Sequence, residues 1–90
     1  MKITEEILKK NGFEYLGCFS KRKSYLWFKE LENGYRQEII VNEVPDKNLW
    51  YIHIANHVTN LLESAILHTD TVERLQLAID LCLIDKKIVY

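Results

Sequence analysis

The dipeptide Asn33-Gly34 constrains the fold more than any other feature of this 90-residue sequence. It separates two runs rich in β-branched and aromatic residues, 24–31 and 35–44. Asn-Gly favours the type I′ turn, which joins two antiparallel strands through a two-residue loop. The sequence therefore predicts a β-hairpin with a defined register. The predicted pairs are Phe28 with Ile39, Leu26 with Val41, and Lys29 with Glu38.

Neighbouring segments extend this hairpin into a sheet. A four-residue connection beginning at Pro45 pairs Ile52 with Val41 and Ile54 with Ile39, which defines a further strand over 49–55. The period-two run 13–19 predicts an edge strand. Segment 61–68 fits both a helix and a strand, with a strand favoured at its end, and 87–90 is a candidate terminal edge strand.

One face of the predicted sheet is too apolar to remain in water. It consists of Phe13, Tyr15, Phe19, Leu26, Phe28, Ile39, Val41, Trp50, Ile52 and Ile54. Two helices are predicted to cover it: a short N-terminal helix capped by Thr4 and a longer one over 72–82 capped by Asp70. The prediction is a single α+β domain over 1–90, an antiparallel β-meander of about four strands with one covered face.

The opposite face of that sheet is the predicted binding surface. Exposed rings beside arginine are typical of protein-binding hot spots, although they also suit a solvated β face. The partner-binding residues predicted on this face are Tyr25, Trp27, Arg36, Tyr51 and His53. A basic turn, Lys21-Arg22-Lys23, adjoins it, and its cations are able to contact phosphate.

Charge and hydropathy narrow the classes of partner. A formal charge of −1 and a pI near 6.3 give no global attraction to nucleic acid or acidic membranes. Apolar runs such as 49–55 fall far short of the ~18–20 residues that span a bilayer. No signal-peptide pattern is present at Met1, so we expect a cytoplasmic location.

No pattern in the sequence predicts catalysis or cofactor binding. Nucleophile-elbow, zinc-protease and phosphate-loop motifs are absent, and no cofactor is expected. His53 and His57 would lie about 13 Å apart on an extended strand, so no metal site is predicted. Cys18 and Cys82 lack a Cys-x-x-Cys spacing and are expected to be reduced.

Two stretches resemble a family of small uncharacterised proteins from phages and mobile elements of bacteria. They are residues 3–13 (ITEEILKKNGF) and 71–78 (TVERLQLA), the latter with Leu81-Cys82 and Lys86-Lys87-Ile88. The resemblance implies a non-enzymatic protein that blocks a larger protein or ribonucleoprotein, as inhibitors of bacterial defence nucleases (anti-CRISPR proteins) do. The alternative is a small single-stranded nucleic-acid-binding protein. A homodimer and a monomer are both compatible with the sequence.

Overall fold

A five-stranded antiparallel sheet with two helices on one side forms the fold. The computed structural model describes residues 1–45, 47, 49–57 and 63–90. The elements are α1 (Glu5–Lys10), β1 (Glu14–Phe19), β2 (Arg22–Glu30), β3 (Arg36–Val44), β4 (Leu49–Asn56), β5 (Glu63–Thr69) and α2 (Val72–Leu81). The predicted α+β meander is confirmed, with five strands rather than about four.

The strands follow one another in the sheet in the order β1-β2-β3-β4-β5. The β3–β4 register agrees with the prediction, because Val41 pairs with Ile52 and Ile39 with Ile54. The ambiguous segment becomes β5, which pairs with β4. Residues 61 and 62 of that segment lie outside the described residues.

The β2–β3 hairpin is one residue out of the predicted register. Phe28 pairs with Glu38 rather than Ile39. The loop has three residues, because Glu32–Gly34 forms a 3₁₀ turn that ends with Gly34 at a φ of +75°. A three-residue loop with its last residue in the left-handed conformation is a common alternative to the two-residue turn.

This shift exchanges the two faces of β2, since neighbouring side chains on a strand point to opposite sides. Tyr25 and Trp27 now lie on the helix side with Val41 and Ile39. Leu26 and Phe28, predicted to be core residues, lie on the side away from the helices. The register therefore changes which aromatic residues are available to a partner.

The β1–β2 hairpin contains the type I′ geometry that was expected at Asn33-Gly34. Ser20 and Lys21 form its two-residue turn, with φ values of 52° and 67°. A register shift between Tyr15 and Gly17 then moves the end of β1 to the other face. Phe19, predicted to be a core residue, is consequently exposed on the side away from the helices.

The core lies between the sheet and the two helices. Apolar residues from all of these elements are buried there together, and burial of apolar area stabilises the fold. The most completely buried are Leu8, Tyr25, Ile39, Val41, Ile52, Ile54, Val72, Leu75 and Ile79. Trp27, Trp50, Leu67 and Ile88 are half-buried and pack against this core.

Helix α1 begins and ends where the sequence predicts. The Thr4 side chain accepts a hydrogen bond from the Ile7 amide at 3.2 Å, and Asn11 is the C-cap. Helix α2 is capped by Thr71 rather than by Asp70, because the Thr71 hydroxyl accepts a hydrogen bond from the Arg74 amide at 3.3 Å. Either residue type suits an N-cap, and the Thr71 position satisfies an otherwise unpaired donor.

The end of α2 carries backbone strain. Leu83 has a φ of +59°. The amide of Leu83 bonds the Asp80 carbonyl at 3.0 Å, and the amide of Ile84 bonds the Ile79 carbonyl at 3.2 Å. This is the Schellman arrangement, whose left-handed residue is usually glycine because a Cβ there meets the backbone.

Replacing Leu83 with glycine is expected to raise the free energy of unfolding by about 1 kcal/mol, since the left-handed conformation no longer strains a side chain. Leu83 is exposed, so little packing is lost. Urea denaturation followed by circular dichroism measures the change. The matched control is Leu77→Gly, an exposed position within α2, which is expected to lower stability by about 1 kcal/mol. A destabilised Leu83→Gly protein would contradict the strain argument.

The predicted strand at 87–90 is not formed. This segment belongs to no helix and pairs with no described strand, and the side chains of Asn11 and Gln76 hold its backbone instead. The peptide groups that a sheet edge would have satisfied are thus satisfied by two carboxamides.

Candidate functional site

The sheet surface away from the helices is the candidate functional site, and we call it the open face. The strand register places on it Arg22, Leu26, Phe28, Arg36, Glu38, Ile40, Tyr51, His53 and His68. The buried residues of both helices belong to the core on the other side. No described element packs on the open face, so its apolar side chains are available for contact.

Phe28 and Arg36 form the centre of one half of the open face. The Arg36 guanidinium carbon lies 4.2 Å from the centroid of the Phe28 ring, within the range of a cation–π contact. The Arg36 Nε is 2.8 Å from a carboxylate oxygen of Glu38, an ion pair that draws the guanidinium to this side of the sheet. Phe28 remains 40% exposed. A rigid, partly exposed ring beside a held arginine is thus presented to solvent.

Tyr51 and His68 form the other half. Their ring centroids are 5.0 Å apart in an edge-on arrangement, across the β4–β5 pair. His53 follows Tyr51 on the same face, opposite Ile40 of β3. Tyr51, His53 and Ile40 are all half-buried. Because strands hold these side chains, the surface is preorganised for a partner.

Three of the five residues predicted on the sheet's binding surface lie on the open face, as expected. They are Arg36, Tyr51 and His53. Tyr25 and Trp27 do not. Tyr25 is fully buried in the core, and Trp27 is half-buried against it. The register shift in the β2–β3 hairpin is the physical cause, and Leu26 and Phe28 take their places on the open face.

The predicted basic turn is divided between the two sides of the sheet. Lys21 lies in the β1–β2 turn, and Arg22 lies on the open face opposite Phe19. Lys23 points to the helix side, where its ammonium is 3.9 Å from a carboxylate oxygen of Glu5. The three cations therefore do not form one patch.

Glu5 also acts on the buried Tyr25. Burial, followed by the neighbouring Glu5 carboxylate, raises the pKa of Tyr25. The Tyr25 hydroxyl, followed by the Lys9 ammonium, lowers the pKa of Glu5. Both shifts keep Tyr25 neutral and Glu5 ionised at neutral pH. Tyr25 is thus a neutral core residue, completely buried beside α1.

No protein-family model, curated protein or solved structure matches this chain. The function must therefore be argued from the geometry of the site itself. Within the described ranges, no cluster of three or more histidine, cysteine or carboxylate side chains could hold a metal ion. None of the described helices has the length and apolar content to cross a membrane.

The sequence prediction missed three site residues, Leu26, Phe28 and His68, and the first two follow from the register of β2. One signal for them was present: Glu32 can join Asn33-Gly34 in a three-residue loop, which has glycine at its last position. That loop length shifts the register and brings Leu26 opposite Ile40 and Phe28 opposite Glu38. The resulting face combines apolar contact area with a few held polar groups, which suits binding.

Proposed function

We propose that the protein is a non-enzymatic protein-binding module that docks through the open face. In the specific form of this proposal, the protein is a phage-type inhibitor of a bacterial defence nuclease. It acts in the host cytoplasm by covering a surface that the nuclease needs for its activity. The resemblance of residues 3–13 and 71–78 to phage and mobile-element proteins supports this form.

The observation that carries the proposal is the exposed Phe28 ring under the Arg36 guanidinium. Aromatic rings and arginine dominate binding hot spots, because they bury large areas at a small entropic cost. Tyr51 provides a second aromatic anchor on the same face. Standard interfaces bury about 800 Å² on each partner, an area within reach of one sheet face.

The charges of the open face favour a protein over a nucleic acid. Arg22 and Arg36 are accompanied by three carboxylates whose strand positions share this side: Glu14, Glu30 and Glu38. Arg36 is already paired with Glu38 at 2.8 Å. Binding to phosphates requires uncompensated cations. A surface of mixed charge instead suits the polar rim of a protein interface.

The test uses a panel of purified RNA-guided bacterial nucleases, with binding and inhibition of DNA cleavage measured for each. We expect the wild-type protein to bind and inhibit a member of the panel. The Phe28→Ala/Tyr51→Ala variant is expected to bind at least about 30-fold more weakly, since two anchors are lost. Leu77→Ala is the matched control, because Leu77 is an exposed apolar residue on α2.

Several outcomes would count against the proposal. Equal binding by the wild type and the double variant would remove the open face from the interface. Inhibition of no nuclease in the panel would remove the inhibitor role. Binding to a single-stranded oligonucleotide that weakens steeply with salt, and with Arg22→Ala, would support the nucleic-acid alternative instead.

A further inference from the structure

A groove between α1 and α2 holds segment 86–89 through its backbone. The Asn11 side chain donates a hydrogen bond to the Val89 carbonyl at 2.7 Å and accepts one from the Val89 amide at 2.8 Å. Gln76 likewise donates to the Lys86 carbonyl at 2.9 Å and accepts from the Ile88 amide at 2.8 Å. Two carboxamides thus recognise a strand in the way that a sheet edge does.

Two side chains of the segment add specificity. The Lys86 ammonium donates to the Asn11 backbone carbonyl at 2.8 Å and lies 5.5 Å from the centroid of the Trp27 ring. Burial lowers the pKa of Lys86, which agrees with its half-buried position. Ile88 packs against the core, whereas Lys87 and Val89 are exposed. The groove therefore selects a lysine and, two residues later, an aliphatic side chain.

The segment is also attached in a way that eases its release. Val89 is 57% exposed and Tyr90 is 58% exposed, so the last residues contribute little buried area. The backbone hydrogen bonds do not depend on which side chains the bound strand carries.

We propose that this groove is a peptide-binding site that accepts an extended Lys-x-aliphatic segment of a partner protein in place of residues 86–89. Asn11 and Gln76 hold the partner's backbone, and the Asn11 carbonyl with the Trp27 ring holds its lysine. The groove is separate from the open face, because it is formed by the helices on the other side of the sheet.

The chain's own segment competes with any such partner. A tethered segment acts at an effective concentration in the millimolar range, so a free peptide binds the wild-type protein only weakly. Weakening the tethered segment removes this competition. The groove is then expected to bind the same sequence supplied as a separate peptide.

The test uses a fluorescein-labelled peptide of residues 84–90 (IDKKIVY) and fluorescence anisotropy. The full-length Lys86→Gln/Ile88→Gln variant has a weakened segment and an unchanged groove. We expect it to bind the peptide at least tenfold more tightly than the wild type does. Adding Gln76→Ala to this variant removes two hydrogen bonds and is expected to weaken binding about tenfold or more. A peptide with glutamine in place of its first lysine and its second isoleucine, which correspond to Lys86 and Ile88, is the specificity control.

A second measurement does not depend on the folding of any variant. Backbone amide NMR signals of Ile88 and Val89 in isotopically labelled wild-type protein are expected to move toward their values in a disordered chain as unlabelled peptide is added to millimolar concentration, because the added peptide displaces the chain's own segment. Folded variant protein that binds no peptide, or equal binding of the control peptide, would overturn the proposal. If the variant does not fold, unshifted Ile88 and Val89 signals in the labelled wild type would do so.

Discussion

Tyr25→Ala is expected to lower the free energy of unfolding by about 3–5 kcal/mol, the usual cost of deleting a large buried aromatic side chain. The Tyr25 side chain is completely buried. Its ring centroid lies 5.4 Å from that of Tyr15 and 6.0 Å from that of Trp50, so the substitution leaves a cavity between two aromatic neighbours. Urea denaturation followed by tryptophan fluorescence measures the loss.

The matched control is Phe28→Ala on the same strand. Phe28 is 40% exposed, and its substitution is expected to cost about 1 kcal/mol or less. The two variants together test the register of the β2–β3 hairpin. If Phe28→Ala were the more damaging substitution, Phe28 rather than Tyr25 would face the core, as the two-residue turn would require.

Asn56→Ala is expected to destabilise the protein by about 2–3 kcal/mol, because it breaks a buried polar link between the sheet and the end of α2. The Asn56 amide nitrogen donates to the Cys82 carbonyl at 2.6 Å. Its side-chain oxygen accepts a hydrogen bond from Gln37 at 3.3 Å. Carbonyls at a helix end have no partner within the helix, and the Asn56 amide donates to one of them, so the substitution removes a buried hydrogen bond at the end of α2.

Asn42→Ala provides the comparison for Asn56. Asn42 also contacts a side chain on a neighbouring strand, Ser24, but it is only half-buried and lies on the side away from the helices. Water can replace its lost hydrogen bond, so we expect a cost of about 1 kcal/mol or less. Thermal denaturation of both variants compares them. Equal losses would show that the link to α2 contributes nothing beyond an ordinary strand contact.

The β3–β4 pairing was predictable because its apolar pattern allows one register only. Ile39 and Val41 alternate with polar or less buried neighbours, and Ile52 and Ile54 do the same. The β2 register was not predictable in this way. Residues 25–28 are four consecutive large apolar side chains, so either face of β2 can serve as the core face. Only the loop length distinguishes the two registers.

The predicted positions of the candidate site residues differ between strands for the same reason. Arg36, Tyr51 and His53 belong to β3 and β4, whose register the pattern defines, and they lie on the open face. Tyr25 and Trp27 belong to β2, and they lie on the covered face. The misplaced aromatic residues therefore share a strand, β2, and their misplacement does not depend on residue type.

The groove between the helices could not be predicted from the sequence. The β-branched run at 87–90 predicts a terminal edge strand, and the structure forms no strand there. What satisfies its peptide groups is not another strand but Asn11 and Gln76. Asn11 already has a local role as the C-cap of α1, so nothing in the pattern indicates a partner 78 residues away.

The sequential order of the strands has a consequence for how the chain folds. Every pair of neighbouring strands is also consecutive in the sequence, so the sheet can grow one hairpin at a time at a small loop-closure cost. The contact between Asn11 and Val89 spans 78 residues and closes nearly the whole chain. Because synthesis proceeds from the N-terminus, Val89 becomes available only after all five strands, so its contact with Asn11 forms late.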